Sequence, residues 1–138
     1  MHILNIISLL FIIVVSNSAF SKTIQIEFTE DDRFSKEVVY IDVGDTIEWI
    51  PKNEGHNVKF LGGPNISSLP ESSEVDSFHS VAFDASGVYL YHCKPHGNMG
   101  MLGLIIVGND LHNLEGVKNL ELSSTAEAVL QKLIKSIR

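Results

Sequence analysis

Residues 88–107 read VYLYHCKPHGNMGMLGLIIV, and the architecture follows from this stretch. Val88, Leu90 and His92 alternate with Tyr89, Tyr91 and Cys93, a period of two that predicts a β-strand with two distinct faces. Leu102 to Val107 is an unbroken apolar run between Gly100 and Gly108, the pattern of a strand covered on both faces. Between the two strands lies a short loop rich in Pro, His, Gly and Met.

Working outward, the same signature recurs upstream. Val81 and Phe83 alternate before the turn Asp84-Ala85-Ser86-Gly87. Val38–Val43 and Thr46–Ile50 are short runs joined by Gly44-Asp45, a hairpin-type signal. In Thr23–Phe28, Ile24, Ile26 and Phe28 share one face and Gln25 and Glu27 the other. Residues 62–76 hold Gly, Pro, Asn, Ser and acids, which predicts a long surface excursion. Many short strands with turns between them make the chain mainly β, a β-sandwich.

Downstream the period changes. Ala126, Val129, Leu130, Leu133, Ile134 and Ile137 form one stripe of an amphipathic helix, with Ser124 and Glu127 as a capping box at its start. Leu111–Leu120 predicts an earlier, shorter helix weakened by Gly116. A stripe this wide normally faces a core, so the two C-terminal α-helices are expected to cover an open face of the sandwich rather than bind a partner.

The chain has 138 residues, of which 44% are apolar, enough for one domain with a modest core and too many for a disordered chain. Seventeen acids against ten bases give a formal charge of -7, which argues against a nucleic-acid binder. Ile3–Val15 is apolar except for Asn5 and Ser8, and is shorter than the roughly 20 residues a membrane span needs. Ala19 and Ser21 suit a cleavage site, so residues 1–21 are expected to be a signal peptide and 22–138 the exported domain, with no membrane span after processing; an uncleaved anchor is the alternative. Export gives the single cysteine meaning, since one thiol in an oxidising compartment cannot form an internal disulfide and metal ligation is a reason to keep it.

Cys93, His96 and Met101 lie within nine residues, and His56 stands upstream in Glu54-Gly55-His56-Asn57. Taken singly each has a bland reading, Met101 as core and the histidines as solvated loop residues. Together they are the donor set of a blue copper site: a thiolate, two imidazoles and a weak thioether. Thiolate and thioether favour Cu(I), and imidazole suits both oxidation states. Zinc with water as fourth ligand is the competing metal.

Over Val43-Gly44-Asp45-Thr46, over Gly55-His56-Asn57-Val58 and from Tyr91 to Gly108, the chain resembles the pseudoazurins, small copper proteins of the cupredoxin family. The resemblance extends to the paired C-terminal helices, which plastocyanins and amicyanins lack. It implies a cupredoxin-like Greek-key sandwich over residues 22–138 and one copper ion held by His56, Cys93, His96 and Met101. It implies that the backbone amide of Asn57 donates to the cysteine sulfur, a contact that tunes potential. It also implies a monomeric periplasmic carrier that moves single electrons by Cu(I)/Cu(II) cycling. A cytochrome-type donor and a respiratory reductase such as copper nitrite reductase would be its partners.

One choice remains inside the loop. Met99 has the spacing typical of amicyanins and Met101 that of plastocyanins and pseudoazurins; Met101 sits at the strand entry and is preferred. Lys52, Lys59 and Lys94, near the site loops, are the candidates for the lysine ring that pseudoazurins carry near the exposed histidine. His92 stands where the family often has lysine, and Gly97 where it often has a bulkier residue. Storage or delivery of copper would call for a methionine-rich site, and three methionines including Met1 do not make one. With no open ligand position and no nucleophile–base pair, catalysis is not expected.

Overall fold

The computed structural model describes residues 13–15 and 20–138; the signal-peptide reading of residues 1–21 falls largely outside them. Seven strands run through the described chain: β1 Thr23–Glu27, β2 Val38–Ile41, β3 Thr46–Ile50, β4 Lys59–Gly62, β5 His79–Ala82, β6 Gly87–His92 and β7 Leu102–Val107. Two helices follow, α1 Leu114–Lys118 and α2 Ser124–Lys135. Among the described residues no helix is long and apolar enough to cross a membrane.

β6 and β7 pair antiparallel from Gly87↔Val107 to His92↔Leu102, as the central alternation and apolar run require. They sit inside a four-stranded sheet of order β2-β7-β6-β4, which faces a three-stranded sheet of order β1-β3-β5. Tyr89, Tyr91, Cys93, Ile105 and Val107 point into the core between the sheets, with Trp49, Phe28 and Phe60. Val88, Leu90, Leu102, Leu104 and Ile106 point the other way, into a second core roofed by Val117, Ala126, Leu130 and Leu133 of the helices. β7 is therefore covered on both faces, and the helices do close the open side of the sandwich.

Two expectations need correction. Gly44-Asp45 is not a hairpin, because β2 pairs with β7 and β3 with β1 and β5, so the turn crosses between sheets. The buried Asp45 holds that corner: its carboxylate accepts from the amides of Lys22 at 2.7 Å and Asp42 at 2.9 Å. Those two bonds hold its pKa below the usual carboxylate range. The cap of α2 is Ser123 rather than Ser124, its hydroxyl accepting from Ala126 N–H at 3.1 Å. The excursion after β4 does run over the surface, anchored where Leu69 packs on the core and Ser73 N–H donates to Val58 O at 2.8 Å.

Candidate metal centre

Strand β6 runs straight into the centre. Its alternation puts Cys93, the next residue inward after Tyr91, fully buried between the sheets. Cys93 N–H donates to Met101 O at 3.1 Å and Met101 N–H to His96 O at 3.3 Å, so the loop closes at the mouth of β6 and β7. A single 3-10 turn, Gly97–Met99, fills the loop and ends on Gly100 at φ +97°, where the left-handed backbone favours glycine. Helix α2 buttresses this loop, with Ser123 Oγ donating to Asn98 O at 2.8 Å and Val129 packing where a Gly100 side chain would project.

His56 comes from the turn between β3 and β4. Asp76 fixes that turn: its carboxylate accepts from Gly55 N–H at 2.6 Å, and its own amide donates to His56 O at 2.9 Å. Ser73 adds a second clamp by accepting from Val58 N–H at 2.8 Å. Asn57 ties the turn to the cysteine loop, its side-chain oxygen accepting from Lys94 N–H at 2.8 Å. Its backbone amide, with that of His96, favours the thiolate form of Cys93.

The donor atoms converge. Cys93 Sγ lies 3.8 Å from His56 Nδ1 and 3.5 Å from His96 Nδ1, and the two Nδ1 atoms are 3.1 Å apart. With those three separations one point lies about 2 Å from every donor, a metal–imidazole and nearly a metal–thiolate bond length. Burial pushes His56 toward its neutral form, with the nearby His96 reinforcing this and Asp32 and Asp76 opposing it. Neutral imidazole is the ligating form. Burial also raises the Cys93 thiol above its ordinary value, so a cation at the centre would offset the cost of a buried thiolate. The donor set thus fits a thiophilic metal.

Met101 is 1% exposed and shares the core cluster of Cys93, whereas Met99 is 64% exposed on the outer side of the loop. His56 is 2% exposed, while the His96 side chain keeps 23% of its surface open, so His96 is the more exposed of the two imidazoles. The two unusual loop residues explain each other: the His92 ring occupies the space that any side chain at Gly97 would enter.

Asp32, Ser73 and Asp76 gave no signal in the sequence. Asp76 stands twenty residues from the histidine whose turn it clamps, with no motif linking them.

A family model described as copper binding proteins, plastocyanin/azurin family, matches residues 23–108. A pseudoazurin of Methylorubrum extorquens is 33% identical over 76% of this chain and 72% of its own length. A plastocyanin of Prochlorothrix hollandica is 33% identical over 64% of this chain and 76% of its own. Among solved structures, pseudoazurin from Methylobacterium extorquens superposes with a TM-score of 0.78 at 28% identity, covering 84% of this chain and 99% of that one. That coverage takes in the C-terminal helices as well as the sandwich.

Proposed function

The chain belongs to the plastocyanin/azurin family of copper binding proteins, and we propose that it carries single electrons in the periplasm on one copper held by His56, Cys93, His96 and Met101. It is an electron carrier and not an enzyme. The observation that carries this reading is the convergence of three buried or half-buried donors, His56, Cys93 and His96, on one point. Bound copper supplies the one-electron Cu(I)/Cu(II) couple.

The residues have separate tasks. Cys93 gives the thiolate, and the amides around it stabilise that charge. His56, sealed by Asp76 and Asn57, keeps the inner wall rigid, so little has to move when the charge of the site changes. Met101 would supply the thioether donor; it is buried just before β7 and bonded through its backbone to both Cys93 and His96. His96 gives the route outward, and partners dock over its open edge. A cytochrome-type donor and a copper nitrite reductase-like acceptor are the proposed partners. Residues 1–21 support export across the inner membrane.

The test is the visible spectrum of the Cu(II)-loaded protein. An intense blue to green thiolate band that bleaches with ascorbate is expected, and Cys93→Ser should abolish it. A colourless complex with intact Cys93 would refute the assignment. Stopped-flow electron exchange with a copper nitrite reductase then tests the acceptor.

A further inference from the structure

Both site histidines turn Nδ1 inward toward Cys93, and the opposite edges of the two rings face one carboxylate. Asp32 Oδ1 lies 3.6 Å from His56 Nε2 and 3.9 Å from His96 Nε2. We propose that Asp32 is a positioning residue of the copper centre: its charge holds both imidazoles with Nδ1 free for the metal and lowers the reduction potential of the site.

The loop is built to present this side chain. Phe28 and Phe34 bridge across its base, and Thr29 N–H donates to Arg33 O at 2.9 Å. The Thr29 hydroxyl donates to Asp31 and accepts from Arg33 N–H, which engages Asp31 within the loop. Asp32 itself adopts φ +56°, a left-handed conformation uncommon outside glycine but several-fold enriched for Asp and Asn. That backbone step aims its carboxylate at the histidines rather than along the loop. Phe28, at the base of the same loop, lies 5.6 Å from the His56 ring and fixes the distance between loop and centre.

The distances exceed hydrogen-bond length, so the interaction is electrostatic and not a directed bond. A carboxylate behind a ligating imidazole orients the ring and favours the proton on the outer nitrogen. The oxidised site carries one more positive charge than the reduced site. A fixed negative charge therefore stabilises the oxidised state, and its removal should raise the potential. Asp32 keeps 49% of its side-chain surface in water, so the effect is partly screened and should shrink with salt.

This inference rests on the copper reading above, and the experiment separates the two. Asp32→Asn keeps the shape and tolerates the left-handed backbone. The reduction potential is measured by spectroelectrochemical titration at one pH, for the parent, Asp32→Asn, Asp32→Glu and Asp31→Asn. At a fixed applied potential, Asp32→Asn should shift the oxidised-to-reduced ratio about three- to tenfold toward the reduced form, tenfold being 59 mV for one electron. Asp31→Asn removes the same net charge and should shift it less than about twofold, since Asp31 touches neither histidine. Asp32→Glu should stay near the parent. The ring Nε2–H signals of His56 and His96 in the Cu(I) protein should move in Asp32→Asn and not in Asp31→Asn. An intact blue band with an unmoved potential in Asp32→Asn overturns the proposal, as do equal shifts in the two Asn variants. Loss of the band in Asp32→Asn with recovery in Asp32→Glu supports it, and loss in both overturns it. A parent protein without the band overturns the copper reading and this inference with it.

Discussion

Met99 and Met101 stand two residues apart in environments that differ almost completely. Met101 is buried against Cys93, and Met99 projects from the 3-10 turn into solvent. An axial thioether tunes both spectrum and potential. Met101→Leu should therefore change the visible spectrum and raise the potential, while Met99→Leu leaves both at the parent values; the reverse result in a redox titration would move the ligand to Met99. The neighbouring pair His92 and Gly97 gives a second test. A methyl group at 97 would meet the His92 ring. Gly97→Ala should destabilise the metal-free protein by about 1–3 kcal/mol through overpacking. In a His92→Lys background, where the ring is gone, the same change should cost less. The coupling in a double-mutant cycle should reach about 0.5–3 kcal/mol, read from urea unfolding midpoints; strict additivity would mean the two departures are unrelated.

Elements meet through side chains that sequence pattern describes poorly. The turn before β6 is joined to the segment before α1 by Asp110, whose carboxylate accepts from Ser86 Oγ at 2.7 Å and from His112 N–H at 2.9 Å. Asn113 completes the joint by pairing with both backbone groups of Val88 at 2.8 Å. The His112 amide, then Ser86 and the His112 ring, hold the Asp110 pKa down to about 2. A carboxylate with a depressed folded-state pKa stabilises the fold fully above its unfolded value of about 3.9 and loses that contribution as pH falls. Asp110→Asn should thus be less stable than the parent at neutral pH, with a shallower acid limb between pH 4 and 2 in thermal unfolding. A variant that keeps the parent's slope over that window would remove Asp110 from the acid transition. The strands themselves were legible, because period-two alternation at residues 88–93 and the apolar run at 102–107 report faces directly. The Gly44-Asp45 turn resembles a hairpin in sequence because a turn signal carries no information about which sheet receives the next strand. The cap of α2 was displaced by one because Ser123 and Ser124 are chemically equal in sequence, and only the backbone of Ser123, at φ −62° and ψ 157°, suits the cap. Three of the four candidate ligands were legible as a cluster in one loop. Asp32 and Asp76 were not, since both act through left-handed backbone corners that aim a carboxylate across the fold.

The molecule as a whole carries a charge of -7. Beside His96 a depression of about 430 Å³ is lined by Met99 and by two acids, Asp31 and Asp32, against two bases, Arg33 and Lys132. Two copies that exchange an electron through His96 must bring these faces together, and each brings the same net charge of -7. Like charges slow encounter, and salt screens them over a length of about 10 Å at 0.1 M. Electron self-exchange between oxidised and reduced copies, measured by NMR line broadening, should therefore quicken as ionic strength rises. Met99→Glu adds a charge to the patch without touching a candidate ligand. It should slow self-exchange at low salt by about tenfold, the order expected for steering effects, with much of the loss recovered at high salt and the visible spectrum unchanged. Apolar contact explains the opposite pattern: if Met99 acts by burial alone, the loss persists at every salt concentration, because a desolvated carboxylate costs free energy that screening does not return. A self-exchange rate that ignores both salt and Met99→Glu would place the contact face away from His96, and the electron route through that ring would have to be given up.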